Sequence, residues 1–147
     1  MPAVAVKIIN RSANALPSYA TDGSSGMDVR AHLNEPITLA PLERKLIPTG
    51  LFVEIPQGYE IQVRPRSGLA LKQGLTCLNS PGTIDADYRG EIGVILINLS
   101  AQEQQIQPGD RIAQLVLQQV SRTEWITGAE LSATTRNEGG FGHTGKQ

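Results

Sequence analysis

The chain has 147 residues, a net charge of −1 and a single cysteine, Cys77. That length suits one domain with its own core. The near-neutral charge offers no global field for nucleic acid or an acidic membrane, no apolar run is long enough to span a bilayer, and one cysteine excludes an intramolecular disulfide.

Fifteen glycines and nine prolines punctuate the chain. Between them lie short β-rich runs: Val4–Ile9, Ile37–Leu39, Lys45–Ile47, Leu51–Ile55, Tyr59–Val63, Ile92–Leu99 and Ile112–Val120. Apolar and polar residues alternate in Glu60-Ile61-Gln62-Val63 and around Ile106. Arg111 through Leu117 is mostly apolar, as in a strand buried on both faces. This spacing predicts an all-β sandwich or barrel rather than βαβ units. One short helix is expected around Ser67–Lys72. Cys77, between Thr76 and Leu78, reads as a small buried hydrophobe. Trp125 is expected to pack in a late strand. No repeat or low-complexity segment interrupts the chain, which reads as one β domain over residues 1–131 and an arm over residues 132–147. No signal-peptide pattern opens the sequence, so the expected compartment is the cytoplasm.

Five segments carry chemistry. In Gly23–Arg30, Asp28 enters a strand from a Ser/Gly loop. It could orient a hydrated metal ion or pair with Arg30. In Arg64–Ala70, Ser67 and Gly68 stand at a helix start, where N–H groups are free. Arg66 adds a fork of donors, so the segment suits phosphate oxygens as well as it suits a capped helix with a surface arginine. In Asn79–Gly90, two carboxylates, a phenol and an amide sit among turn formers. Asp85 follows apolar Ile84, which hints at a partly buried carboxylate able to act as a general base toward water. It could equally hold a turn. In Gly109–Gln114, polar Gln114 interrupts an apolar strand and must find partners.

The fifth segment is the tail, Arg136-Asn137-Glu138-Gly139-Gly140-Phe141-Gly142-His143-Thr144-Gly145-Lys146-Gln147. It has cations for an anion, an aromatic for a ring face, and glycines that let backbone approach a ligand. It reads as a lid over a nucleotide or as an unstructured end. Gly140 through Lys146 also spells most of a phosphate-binding P-loop, but no Ser or Thr follows the lysine and no helix can follow it. Gly140, Gly142 and Gly145 match the dinucleotide fingerprint without a surrounding βαβ unit.

Taken in order, these five segments resemble the five motifs of the trimeric dUTP pyrophosphatases. The matching residues are Ser25–Val29, Pro65–Ala70, Gly82–Gly90, Gly109–Leu115 and Arg136–Gly145, so the resemblance spans nearly the whole chain. The third and fifth are long and specific. Two positions depart from the pattern: Met27 stands where the family more often has Leu or Tyr, and Asn137 where a Gly is usual.

The resemblance implies a distorted β jelly roll, or β-clip barrel, assembled as a homotrimer with an exchanged C-terminal arm. It implies hydrolysis of dUTP to dUMP and pyrophosphate with Mg²⁺, which keeps uracil out of DNA and supplies dUMP for thymidylate synthesis. Each active site would draw the phosphate loop from one chain, the hairpin around Asp85 from a second and the tail from a third. Asp85 is the implied catalytic base. The implied substrate-binding residues are Arg66, Ser67, Gly68, Asn79, Thr83, Ile84, Asp85, Tyr88, Gly93, Gln114, Arg136, Phe141 and Gly142. Arg66, Ser67 and Gly68 would hold phosphates and Gln114 would lie near the α-phosphate. Uracil would meet the hairpin from Asn79 to Gly93. Tyr88 would exclude a 2′-hydroxyl, Phe141 would stack on the base, and Arg136 would reach the γ-phosphate. Asp28 would contact magnesium through water. Two other functions compete. A dCTP deaminase has a related fold but needs a glutamate where this chain has Ile95. A catalytically silent nucleotide-binding trimer would be marked by loss of Asp85 or of the tail, and both are present.

Overall fold

The structure, a computed structural model, describes residues 2–147. Among them the elements run β1 (Lys7–Asn10), β2 (Met27–Arg30), β3 (Ile37–Leu39), β4 (Arg44–Glu54), β5 (Tyr59–Arg64), α1 (Ser67–Gln73), β6 (Leu75–Cys77), β7 (Gly82–Ile84), β8 (Glu91–Asn98), β9 (Gln104–Ile106) and β10 (Arg111–Gln119). One four-stranded sheet has the order β1-β4-β8-β6, and a second has the order β2-β10-β5-β7. A two-stranded ribbon, β3-β9, completes the set. All pairings are antiparallel. The result is a jelly-roll type of β fold whose sheets stay open, with no closed barrel among the described residues.

The core lies where the sheets bury their apolar faces together. Ile47, Val53, Val94 and Leu96 come from the first sheet, and Val29, Ile61, Val63 and Leu115 from the second. Strand β5 follows the period-two rule, with Ile61 and Val63 buried and Gln62 and Arg64 only partly so. Strand β10 buries Ile112, Ala113, Leu115 and Val116 on both faces, as its apolar run suggests, because it is an interior strand between β2 and β5. Two buried polar residues hold the frame. Asn98 donates to the carbonyls of Leu39 and Gln102, which ties β8 to the end of β3. Thr49 donates to the Ile92 carbonyl at 2.6 Å and accepts from the Leu51 N–H at 3.2 Å.

Several expectations change. The runs Lys45–Ile47 and Leu51–Ile55 belong to one strand, β4, rather than two. Pro48, Thr49 and Gly50 resemble a turn, but Pro48 faces Gly93, Phe52 faces Glu91, and the three residues between them form a bulge where the register shifts. Strand β1 starts at Lys7, later than expected. Strand β7 lies inside the segment read as turn-rich, and β6 was not among the expected runs. Trp125 packs in no strand. It is 88% exposed, because β10 ends at Gln119 and no helix or strand follows among residues 120–147. The expected boundary at Leu131 falls within that stretch.

Candidate active site

The phosphate-loop candidates stand where β5 runs into α1. Arg66 is the N-cap, in an extended conformation, and Ser67 and Gly68 are the first helical residues. No side chain caps this end and no acidic residue lies in its first turn. At the other end, Gly74 terminates α1 with φ 66°, and its N–H reaches the Ala70 and Leu69 carbonyls. A side chain at Gly74 would strike Ser100, whose Cβ and N lie 2.9 Å from the position of an added Cβ, so the turn into β6 requires glycine.

Strands β2 and β10 bring two more segments to the same place. Their ladder sets Asp28 opposite Gln114, and β10 sets Gln114 opposite Arg64. Asp28 Oδ1 accepts from Arg66 Nε at 3.0 Å, and Asp28 Oδ2 lies 3.5 Å from Arg111 Nη1. Of the two expectations for Asp28, pairing is observed, but with Arg66 and Arg111. Arg30 instead donates to the Gly109 carbonyl at 2.9 Å. Gln114 donates to the Pro65 carbonyl at 3.1 Å. The interrupted apolar pattern of β10 thus places an amide against the backbone just before Arg66. Gly26 makes room for it, since a Cβ there would fall 2.4 Å from Gln114 Oε1.

Asn79, Thr83, Ile84, Asp85, Tyr88 and Gly93 line a separate recess of about 170 Å³, closed by Ile92 and Ile95. The segment around Asp85 is not a hydrogen-bonded hairpin. β7 pairs with β5, β8 pairs with β4 and β6, and the turn between them crosses from one sheet to the other. The recess lies in this crossing, because two sheets diverge there. β7 is the outer strand of its sheet, so among the described residues the side of its backbone away from β5 has no ladder partner. Asp85 is exposed rather than partly buried, and among the described residues its carboxylate makes no hydrogen bond or ion pair. It lines both this recess and a wider groove of about 810 Å³ shared with Tyr59, Asp87, Arg89 and Arg122.

The turn that carries Asp85 is pinned by its neighbours. The Tyr88 N–H reaches the Asp85 carbonyl at 3.1 Å, and the Tyr88 hydroxyl donates to the Glu91 carbonyl at 2.8 Å. Arg89 donates to the Ala86 carbonyl at 2.7 Å and lies 3.6 Å from Glu54 on β4. The sequence reading missed Arg89 and Arg111. Arg111 carried a signal, since it sits three residues before Gln114 in the same motif; Arg89 carried none that distinguishes it from a surface cation.

The tail candidates lie apart from both clusters. Arg136 donates to the Gly139 carbonyl at 2.6 Å, Phe141 is fully exposed, and Gly142 has φ 84°. Asn137 has φ 45°, a left-handed conformation that asparagine tolerates better than most side chains. Its side chain accepts from the Thr134 N–H, while its own N–H reaches the Thr134 hydroxyl, both at 2.9 Å. Asparagine is therefore a workable substitute for the expected glycine.

For a metal ion, the protein offers little. Among the described residues no three His, Cys, Asp or Glu side chains gather. Both Asp28 oxygens face guanidinium groups. This donor set fits an ion carried on substrate phosphate oxygens, with at most a water-mediated contact to Asp28, and not an ion caged by protein. No helix among the described residues is long and apolar enough to cross a membrane.

An open jelly roll with an arginine cluster, an acidic turn and a glycine-rich tail defines a class, and the comparisons specify it. The dUTPase family model matches residues 12–145, and the chain belongs to the dUTPase family. It is 58% identical over 146 residues to the deoxyuridine 5'-triphosphate nucleotidohydrolase of Fusobacterium nucleatum, covering 99% of this chain and 100% of that one. The protein of the same name from Finegoldia magna is 59% identical over 140 residues, covering 95% and 98%. Among solved structures, a mutant of the Staphylococcus bacteriophage 80alpha dUTPase with dUpNHpp superposes with a TM-score of 0.86 at 27% identity, covering 96% of this chain and 98% of that one. A mutant dUTPase from phage phi11 of S. aureus, described with a structural Mg(II) ion, superposes at 0.78 with 26% identity, covering 88% and 99%.

Proposed function

We propose that this chain hydrolyses dUTP to dUMP and pyrophosphate, with Asp85 activating the water that attacks the α-phosphorus. Family membership supports the reaction. The observation that carries the site assignment is the unpartnered backbone edge of β7 bordering the recess beside Asp85.

A strand edge presents N–H and C=O groups in alternation, and the polar edge of uracil offers complementary groups. Asn79 adds an amide at the same wall. Cytosine would set a donor against a donor, a mismatch worth up to about ten-thousand-fold where the site is built around hydrogen bonds. Rejection of the thymine methyl falls to the rigid walls of Ile92, Gly93 and Ile95. The Tyr88 ring, fixed by its bond to Glu91, packs on the deoxyribose and leaves no room for a 2′-hydroxyl. Ile95 supplies no proton shuttle where deamination would need one.

The Asp85 carboxylate faces solvent beside the recess and is free to accept a proton from water. General-base catalysis of this kind contributes about a hundred- to ten-thousand-fold. Arg66, with Ser67, Gly68 and Gln114, holds the phosphate chain and the departing pyrophosphate. Magnesium, when bound on the triphosphate, neutralises the oxygens that carry the developing charge.

The working unit is a homotrimer with the site shared between chains. In the single chain, the recess near Asp85 is lined by neither Arg66 nor Gln114. The C-terminal stretch exposes Trp125, Ile126, Leu131 and Phe141, which packing on another subunit would cover. The arm then closes over a neighbour's site, stacking Phe141 on the base and bringing Arg136 to the γ-phosphate, while Gly142 lets the backbone follow the nucleotide.

The test is pyrophosphate release from dUTP, dCTP, dTTP and UTP with Mg²⁺, beside Asp85→Asn. Release from dUTP alone, lost in the variant, is expected. Uracil nucleotide formed from dCTP, or binding of dUTP without turnover, would overturn the assignment.

A further inference from the structure

We infer that Arg111 is a positioning residue for the reaction, acting through Asp28 to hold the Arg66 guanidinium in a phosphate-ready orientation. The inference rests on the proposed dUTP hydrolysis and deepens it.

Two guanidinium groups share one carboxylate here. Asp28 Oδ1 takes the Arg66 Nε–H at 3.0 Å, and its Oδ2 faces Arg111 Nη1 at 3.5 Å. An isolated arginine–carboxylate pair tends to close as a two-pronged fork, which would spend two edge donors of Arg66 on Asp28. Arg111 draws the second oxygen away, so Asp28 contacts Arg66 through Nε alone. Nη1 of Arg66 leans on the Arg111 main-chain carbonyl at 3.3 Å. The remaining N–H donors of the fork are left for an anion. Arg111 thus touches Arg66 twice over, through a carboxylate and through its own backbone. Because one carboxylate serves two cations, the cluster also keeps an excess of positive charge for a polyphosphate.

The backbone supports a built arrangement. Arg111 is the cross-strand partner of Arg30, and like charges in that position are destabilising. A register shift between Arg111 and Ala113 breaks the regular ladder at that residue. Bulges of this kind re-aim side chains. Arg111 faces Asp28, and Arg30 goes instead to the Gly109 carbonyl.

The experiment is steady-state dUTP hydrolysis by the wild type, Arg111→Met, Arg111→Lys, Arg66→Met and the Arg66→Met/Arg111→Met double variant, with unfolding midpoints for each. Arg111→Met should lower kcat/KM by about tenfold or more, in the range of coupled neighbouring residues. KM for dUTP should rise with the midpoint unchanged, and Arg111→Lys should recover part of the loss. The double variant should be no worse than about twofold below Arg66→Met alone, since Arg111 has nothing left to position. Losses that add in the double variant would mean that Arg111 acts independently of Arg66, and a lowered unfolding midpoint that accounts for the lost activity would mean that Arg111 serves only the fold; either would overturn the inference. Should Arg111→Met fail to fold, the same comparison is read from Arg111→Lys with Arg66→Met. A wild type inactive on dUTP would instead refute the proposed function, so the two failures are distinguishable.

Discussion

Asp85 owes its place to bonds that do not involve its carboxylate. The turn is held by the Tyr88 N–H, the Tyr88 hydroxyl and Arg89. Asp85→Asn should therefore leave the free energy of urea unfolding within about 0.5 kcal/mol of wild type, while kcat falls about a hundred- to ten-thousand-fold. Gly26→Ala makes the opposite kind of test. An added Cβ falls 2.4 Å from Gln114 Oε1, the end of a side chain that can swing aside. The fold should survive, the bond from Gln114 to Pro65 should break, and dUTP hydrolysis should drop by about tenfold, the effect of one lost hydrogen bond of about 1.5 kcal/mol. Cys77 gives a pH signature. Burial pushes its thiol from 9.0 up to about 11. The folded state thus holds a proton that the unfolded state releases between those values. Stability from this group is complete below pH 9 and is lost as pH rises toward 11. Denaturant titrations at pH 8, 9.5 and 10.5 should show a falling midpoint, with a flatter slope in Cys77→Ala.

At the scale of elements, the bulge in β4 is the joint that matters most. Three residues bow out between Pro48 and Phe52 against β8, and Thr49 replaces a missing ladder bond with its hydroxyl. Its partner Ile92 also walls the recess. Thr49→Val keeps the shape but strands the Ile92 carbonyl and the Leu51 N–H, and should cost about 1–3 kcal/mol in urea unfolding. This bulge was illegible in the sequence because Pro48, Thr49 and Gly50 carry turn chemistry, and only pairing with β8 makes them one strand. By contrast, the alternation in β5 and the continuous apolar run in β10 were legible, since each reflects burial of a whole strand. β6 and β7 were missed because each is three residues long and bordered by turn formers, Gly74 on one side and Asn79, Ser80 and Pro81 between them. The crossing at Asp85 was read as a hairpin because sequence order does not reveal that the two strands join different sheets. The Trp125 expectation failed because β10 ends at Gln119, and a lone apolar residue carries no period to show that no strand holds it. Asn137 is the converse case: its departure from glycine makes sense only once its φ of 45° is known.

At the scale of the molecule, the single chain holds every implied residue and yet no complete site. The phosphate cluster, the Asp85 recess and the tail lie apart, and the apolar tail side chains are exposed. The proposed closed trimer would resolve this, and sedimentation should then give three times the 15.8 kDa chain mass. The decisive measurement mixes two inactive proteins. One is Asp85→Asn with an intact tail, and the other is a truncation after residue 131 with Asp85 intact. Refolded together at equal concentrations, they should regain dUTP hydrolysis at about a quarter of the wild-type rate per site, since random assembly of a symmetric ring pairs an intact Asp85 with an intact neighbouring tail that often. Mixed trimers that remain inactive would show that Asp85 and the tail serve the same chain's site, and would contradict the shared active site.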